Sequence, residues 1–102
     1  MKVIEMLGDR IDEEIGDACF YAKKALELKE QYPDLSRTLN SIAVQEMDHM
    51  TDLHNAVVNI INNYRRDNGE PPAEMQAVYD YLHKKQIEKA ADARRYIDMY
   101  KK

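Results

Sequence analysis

The chain has 102 residues, of which 15 are basic and 19 acidic, and its formal net charge is −4. This length predicts one domain, and the acidic balance lacks the basic footprint of a nucleic-acid-binding domain. No apolar run approaches the ~20 residues that a membrane-spanning helix needs. Cys19 is the single cysteine, which excludes an internal disulfide and a cysteine-based zinc site. We therefore expect a cytoplasmic protein with no nucleic-acid partner and no membrane partner.

Two breaks divide the chain into three segments. The first is Pro33, and the second is the Gly-Glu-Pro-Pro stretch at 69–72. Glycine and proline number only three each, which disfavours an all-β fold with its frequent turns. The breaks predict three helices, over about 3–31, 35–66 and 73–100, in a single domain spanning 1–102. Because the connections are short, successive helices should be antiparallel neighbours, so the predicted fold class is an all-α, three-helix antiparallel unit.

The first predicted helix carries one apolar stripe with a carboxylate inside it. Apolar residues recur at steps of three and four from Leu7 and Ile11 to Ala18 and Leu28. Glu14 occupies a position in this stripe where the pattern calls for leucine. Burying a bare carboxylate costs several kcal/mol even after relaxation, so Glu14 should have a counter-charge, a proton or a metal beside it.

The second predicted helix interrupts its stripe in the same way, but twice. Positions 46 and 49 of the stripe are Glu46 and His49, and its apolar members are Leu35, Leu39, Ile42, Leu53, Val57, Ile60 and Tyr64. These two residues are spaced i, i+3, so they lie side by side on one helix face. A carboxylate next to an imidazole is an oxygen–nitrogen ligand pair that suits iron, manganese or zinc.

The third predicted helix has a weaker stripe that Gln86 interrupts. Its apolar members are Met75, Val78, Leu82, Ala90, Ala93, Ile97 and Tyr100. It also carries a degenerate Asp80-x-x-His83, and the second helix carries a further histidine, His54. The pattern favours a part-buried, hydrogen-bonded His54 over a ligand, and it leaves the roles of Asp80 and His83 undetermined.

A hairpin of the first two helices would bring the three interrupting residues together. Glu14 lies 19 residues before Pro33, and Glu46 and His49 lie 13 and 16 residues after it. One hairpin therefore presents Glu, Glu and His near its middle as a metal-ligand set. Two readings that involve no metal stay open, namely a satisfied polar cluster and exposed residues on a helix whose rotation is misassigned.

These residues resemble the ferritin-like superfamily, and its rubrerythrin-type hairpin in particular. The resemblance covers residues 10–56 and rests on Glu14 with Tyr21 seven residues later, followed after a turn by Glu46-Met-Asp-His49. It implies that Glu14 is a terminal ligand, Glu46 a bridging ligand and His49 a terminal nitrogen ligand of a di-iron centre. A complete site in this fold takes a glutamate from each of two helices and Glu-x-x-His from each of two others.

The sequence departs from most members of the superfamily, because it does not repeat the Glu and Glu-x-x-His later in the chain. In this respect the chain resembles the half-sized ferritins that are encapsulin cargo, whose bundle is completed by formation of a dimer. It implies a half bundle that a second chain completes to a four-helix bundle, in a homodimer or a higher homo-oligomer. The resemblance implies a ferroxidase or iron-dependent oxidoreductase, with manganese or zinc as alternative metals. The competing hypothesis is a non-catalytic helical structural or interaction protein.

Overall fold

The chain forms three helices joined by two short connections. The computed structural model describes residues 2–102, apart from the side chains of Met75 and Val78, so the predicted stripe positions 75 and 78 lie outside the described side chains. Helix α1 spans Lys2–Leu28, α2 spans Pro33–Asn68 and α3 spans Ala73–Lys101. The described residues contain no strand. The predicted all-α class and the three helices are therefore confirmed.

The helix ends differ from the predicted ones by up to three residues. Helix α1 stops at Leu28 rather than at 31, and α2 begins at Pro33 itself, since a fixed φ and a missing N–H suit proline to a first helical turn. Helix α2 ends where Gly69 adopts a positive φ of 80° and donates its N–H to the Arg65 carbonyl at 3.0 Å. Glycine reaches this backbone conformation without a Cβ penalty.

The helices run up, down and up. Helix α2 is antiparallel to α1, because Ser36 near its start bonds Ala25 and His49 further along approaches Glu14. Helix α3 is parallel to α1, and the Gln86 amide donates to the Gly8 carbonyl at 3.2 Å. Helix α1 packs along both of the other helices, whereas α2 and α3 contact each other over a short stretch.

The core lies along α1, where small residues let the other two helices approach closely. Its predicted stripe is confirmed at Ile11, Glu14 and Ala18, all of which are buried. On α3, Gln86 is buried, so the polar residue that interrupts the predicted stripe lies on the core face of the helix. The further core residues are Ile15, Ala22, Ala25, Ala43, Met47, Met50, Val57, Ile61, Ala90, Ala93 and Ile97.

The rotation of α2 differs from the prediction. Its buried face carries Met47, Met50 and Val57, of which only Val57 belongs to the predicted stripe. Most of that stripe lies beside the buried face at half-buried positions, and Leu35 is exposed. We call this half-buried row the outer stripe; its members are Leu39, Ile42, Leu53 and Ile60. Two adjoining apolar rows cover more of α2 than α1 and the short contact with α3 can bury, so one row remains partly open to water.

The molecule is elongated, with principal extents of 55 × 20 × 18 Å and a radius of gyration of 16.3 Å. A compact domain of ~100 residues has a radius of gyration of about 13 Å. The long axis corresponds to the 36-residue helix α2, whose length at 1.5 Å per residue is about 54 Å. Among the described residues, no helix combines the length and apolar character needed to cross a membrane.

Candidate metal centre

Glu14 is the buried member of the predicted ligand set, and its two carboxylate oxygens have different surroundings. The residue is 8% exposed and lies on the face of α1 that packs against α2. The Arg10 guanidinium, one helical turn earlier, donates to Oε1 at 3.2 Å and also pairs with Glu13. The other oxygen, Oε2, is buried and has no hydrogen-bond partner. Half of this carboxylate is therefore compensated and half is not.

Glu46 and His49 project toward this uncompensated oxygen from one turn of α2. The His49 Nδ1 atom lies 3.5 Å from Glu14 Oε2 and 4.0 Å from Glu46 Oε2. One ligand atom from each of the three residues lies within 4.8 Å of the other two. The antiparallel pairing of α1 with α2 produces this meeting, as the hairpin argument predicts. Among the described residues, Glu14, Glu46 and His49 form the one group of this kind.

The spacing of the three residues suits a transition-metal ion. Bonds of about 2.1 Å to oxygen and nitrogen place two ligand atoms at most about 4.2 Å apart across one ion. Both distances from His49 Nδ1 fall inside this limit. The largest separation in the group, up to 4.8 Å, needs only a small side-chain rotation. The donor set of two carboxylates and one imidazole is one that iron, manganese and zinc accept.

The cluster is closed toward α1 and open on the outer side of α2. The side chains of Glu14, Glu46 and His49 are 11%, 19% and 57% exposed, respectively. The expectation that all three lie in buried stripes is therefore wrong for His49. Its position on the outer stripe's side of α2, turned away from Met47 and Met50, explains this exposure. A metal ion held by these three residues alone would keep coordination positions free on the open side.

Other residues that the sequence singles out lie apart from the cluster. Tyr21 is half-buried and makes an edge-to-face contact with Phe20, with ring centroids 5.4 Å apart. Asp17 is exposed. The Cys19 thiol donates to the Lys89 carbonyl at 3.7 Å, and burial raises its pKa, which keeps it protonated near neutral pH.

The degenerate motif on α3 does not supply a second ligand group within the described residues. Asp80 is exposed and accepts a hydrogen bond from the Gln76 amide at 2.9 Å. His83 instead stacks on His54, with ring centroids 4.6 Å apart and an angle of 17° between the rings. The sequence argument missed this histidine pair, because the pairing depends on how α3 packs across α2. Residue spacing within one helix indicates neighbours on that helix, but it does not predict a contact between His54 on α2 and His83 on α3.

Comparison with known proteins finds no match for this chain. No protein-family model matches the chain, and no curated protein or solved structure matches it.

Proposed function

We propose that this chain is a ferritin-like, non-haem di-iron-binding protein whose metal site is formed at a dimer interface. Each chain contributes one half-site of Glu14, Glu46 and His49, and a second copy contributes the same three residues. In this arrangement Glu14, Glu46 and His49 of each chain would hold the metal ions, with the roles that the resemblance to the ferritin-like superfamily implies. We propose ferroxidase or iron-dependent oxidoreductase activity for the completed site.

One observation carries the proposal: the buried Glu14 Oε2 has no hydrogen-bond donor and faces Glu46 and His49. A buried acceptor without a partner costs about 1–3 kcal/mol, and more when it is charged. Arg10 reaches only the other oxygen, and its own side chain is 54% exposed. A metal ion held between Glu14, Glu46 and His49 would satisfy the orphaned oxygen and offset that cost.

The chemistry of the proposed site divides between metal and protein. A pair of iron ions supplies the electrons that dioxygen or peroxide takes up. Glu14 fixes the position of its ligand oxygen, because Arg10 and the α1 core restrain its side chain. Glu46, with its side chain 19% exposed, adds a second negative charge at the boundary between α2 and solvent. His49 would provide a nitrogen ligand from the open side.

The apolar surface next to the open side of the candidate metal centre supports the proposal that a second copy of the chain packs there. The outer stripe is apolar and half-buried, and it lies on the side of α2 that carries Glu46 and His49. A closed two-fold dimer would place identical patches against each other. It would cover Ile42 and Leu53 and also exclude water from the ligand set. The elongated shape, with much surface for its length, is consistent with a chain that packs against another.

A second candidate function follows from the 3.5 Å approach of His49 Nδ1 to Glu14 Oε2. If His49 is protonated, the pair is a salt bridge that needs no metal. The chain would then be a non-catalytic helical structural or interaction protein that keeps a ferritin-like hairpin. The two functions differ in whether added metal changes the stability of the protein.

The experiment compares the parent with a variant that carries Glu14→Leu, Glu46→Leu and His49→Leu together. Thermal unfolding is followed without metal and with Fe(II), Mn(II) or Zn(II), and Fe(II) oxidation is followed by absorbance. Removing the whole polar cluster avoids leaving one buried charge unpaired, so the variant should fold. At a hundredfold excess over its dissociation constant, a bound metal stabilises the parent by about 2.7 kcal/mol.

The proposal expects the metal-dependent stabilisation and the oxidation to occur in the parent and to vanish in the triple variant. A parent that melts at the same temperature with and without all three metals would support the structural function instead. Metal dependence that survives in the triple variant would place the site elsewhere in the chain and overturn the assignment of these three ligands.

A further inference from the structure

A groove between α2 and α3 lies apart from the candidate metal centre and has a volume of about 200 Å³. Its walls combine apolar and nitrogen-bearing side chains; those that matter here are Met50, Ile87, Ala90, His54, His83 and Arg94. Of the described residues that line it, none is a carboxylate. The groove therefore offers apolar surface and hydrogen-bond donors without a negative charge.

The two histidines present their rings to this groove in a stack. His83 lies between His54, at 4.6 Å and 17°, and Tyr79, at 5.7 Å and 8°. A metal ion bound to an imidazole nitrogen lies in the plane of that ring, so two nearly parallel stacked rings do not converge on one ion. Each neutral imidazole still keeps one ring N–H that can donate a hydrogen bond. The stack consequently suits a hydrogen-bond acceptor better than a cation.

Arg94 supplies the positive charge of the groove. It is exposed and makes no ion pair with a described residue, whereas its neighbour Arg95 pairs with Asp92 at 3.2 Å. A guanidinium presents planar, paired N–H donors that match the two oxygens of a carboxylate. Arg94 is thus available for a ligand, and Arg95 is already engaged.

Gln86 makes the wall of the groove toward α1 rigid. The residue is 8% exposed, and its amide nitrogen donates to the Gly8 carbonyl at 3.2 Å and to Asp12 Oδ1 at 3.3 Å. These bonds hold α3 against α1 beside the histidine stack. The groove is therefore a formed feature of the helix packing and requires no opening motion.

We propose that this groove binds a small carboxylate whose body is about one ring in size. The carboxylate would accept hydrogen bonds from Arg94 and from a ring N–H of His54 or His83, and the body would lie against Met50, Ile87 and Ala90. A dry cavity of ~150 Å³ holds one benzene molecule, so a groove of about 200 Å³ has room for a ring and a carboxylate. The proposal is independent of the metal centre, because it uses none of the three proposed ligands.

The test titrates the parent with benzoate, with benzyl alcohol and with inorganic phosphate, and follows binding by calorimetry and by the ring-proton NMR signals of the histidines. Benzyl alcohol keeps the ring without the charge, and phosphate keeps the charge without the ring. We expect saturable benzoate binding that shifts the His54 and His83 signals but not those of His49. Benzyl alcohol loses hydrogen bonds to a charged group, which contribute about 1.5–3 kcal/mol, and phosphate loses the burial of an apolar ring, which contributes a similar amount. Both probes should therefore bind at least about tenfold more weakly than benzoate.

Arg94→Gln should weaken benzoate binding at least about tenfold, and Arg95→Gln is the matched control that should leave it unchanged. Both arginines are exposed, so both variants should fold, which circular dichroism verifies. The absence of saturable benzoate binding would overturn the proposal. So would equal affinity for phosphate or benzyl alcohol, signal changes at His49 alone, or equal losses in the Arg94 and Arg95 variants.

Discussion

At the scale of single residues, the unequal treatment of the two Glu14 oxygens is the most informative feature of the molecule. Arg10 donates to Oε1, whereas the buried Oε2 accepts no hydrogen bond, although His49 Nδ1 lies 3.5 Å from it. A carboxylate with a purely structural role would gain from pairing both oxygens, since unmatched buried charge is costly. Arg10 thus occupies one oxygen of Glu14, and the other oxygen faces Glu46 and His49, where a ligand would reach it.

Glu14→Gln tests the role of this residue in metal binding. The amide keeps the shape of the side chain but removes its charge, so we expect metal-dependent thermal stabilisation to be lost. Without metal, loss of the ion pair with Arg10 should destabilise the protein, whereas removal of an unpaired buried charge should stabilise it. Because the two effects oppose each other, the free energy of unfolding should change by less than about 1 kcal/mol. The control is Glu27→Gln, also on α1, where Glu27 pairs with Lys24 at 3.0 Å on an exposed surface. Equal metal responses in the two variants would contradict the assignment.

At the scale of helices, the connection between α1 and α2 depends on a buried hydroxyl. Ser36 is fully buried, and its Oγ donates to the Ala25 carbonyl at 2.6 Å. Ala25 lies in the last turn of α1, where carbonyls lack an intrahelical partner. The backbone N–H of Tyr32 bonds another of these carbonyls, that of Leu28, at 2.8 Å. These bonds fix the end of α1 against the start of α2 and hence the level at which Glu14 meets His49.

Ser36→Ala should therefore destabilise the protein by about 1–2 kcal/mol, because it leaves a buried carbonyl without a donor. Ser41→Ala, in the same helix but at an exposed position, should change stability by less than about 0.5 kcal/mol. Urea unfolding measures both values. Equal effects of the two substitutions would show that the Ser36 hydroxyl does not support the hairpin.

The contact of α2 with α3 should respond to pH through its histidine pair. Burial, and then the nearby His83, lowers the pKa of His54 below its ordinary value of 6.5. The unfolded chain then binds a proton more readily than the folded protein. The free energy of unfolding should consequently decrease as pH falls from about 7 through 6.5 and toward the lower folded-state pKa.

His54→Phe keeps a flat ring in the stack and removes this titration. The parent should lose more stability between pH 7 and pH 5 than this variant does, as urea unfolding at each pH would show. The difference between the two curves reports the contribution of His54 to the pH dependence. Curves that stay parallel would mean that His54 does not contribute to the pH dependence.

The sequence predicted the helices and the meeting of Glu14, Glu46 and His49 better than it predicted the rotation of α2. Two proline- and glycine-containing breaks determine three helices, and the i, i+3 spacing of Glu46 and His49 makes them neighbours on any helix. The rotation of α2 was wrong because the helix has two adjoining apolar rows, one through Met47 and Met50 and one through Ile42. Which row faces α1 depends on the fit against small α1 residues such as Ala18, and periodicity does not encode that fit.

At the scale of the whole molecule, the elongated shape and the outer stripe both favour association with a second chain. A radius of gyration of 16.3 Å, against about 13 Å for a compact domain, reflects a thin core around α1. The outer stripe leaves apolar surface half-covered next to the open side of the proposed metal centre. Covering this surface and completing the ligand set are the same event if the partner is a second copy of the chain.

Ile42→Lys tests this coupling, because Ile42 belongs to the outer stripe and lies one turn before Glu46 on α2. A lysine there would place a charge in the proposed interface, and the loss of a central contact commonly costs about 2 kcal/mol or more. We expect the parent to sediment as a dimer or larger at micromolar concentration, and the variant to dissociate at concentrations more than about tenfold higher. Metal-dependent stabilisation should weaken together with association, since half a site binds metal less tightly.

Val44→Lys is the matched control, because Val44 is 38% exposed on the side of α2 away from the outer stripe. It adds the same charge to the same helix and should leave both association and metal dependence unchanged. Sedimentation velocity and thermal unfolding with Fe(II) measure the two properties in all three proteins. A parent that remains monomeric with and without metal would contradict the dimer. An Ile42→Lys variant that dissociates but keeps the full metal response would show that one chain alone supplies the site, and the two-fold completion would be wrong.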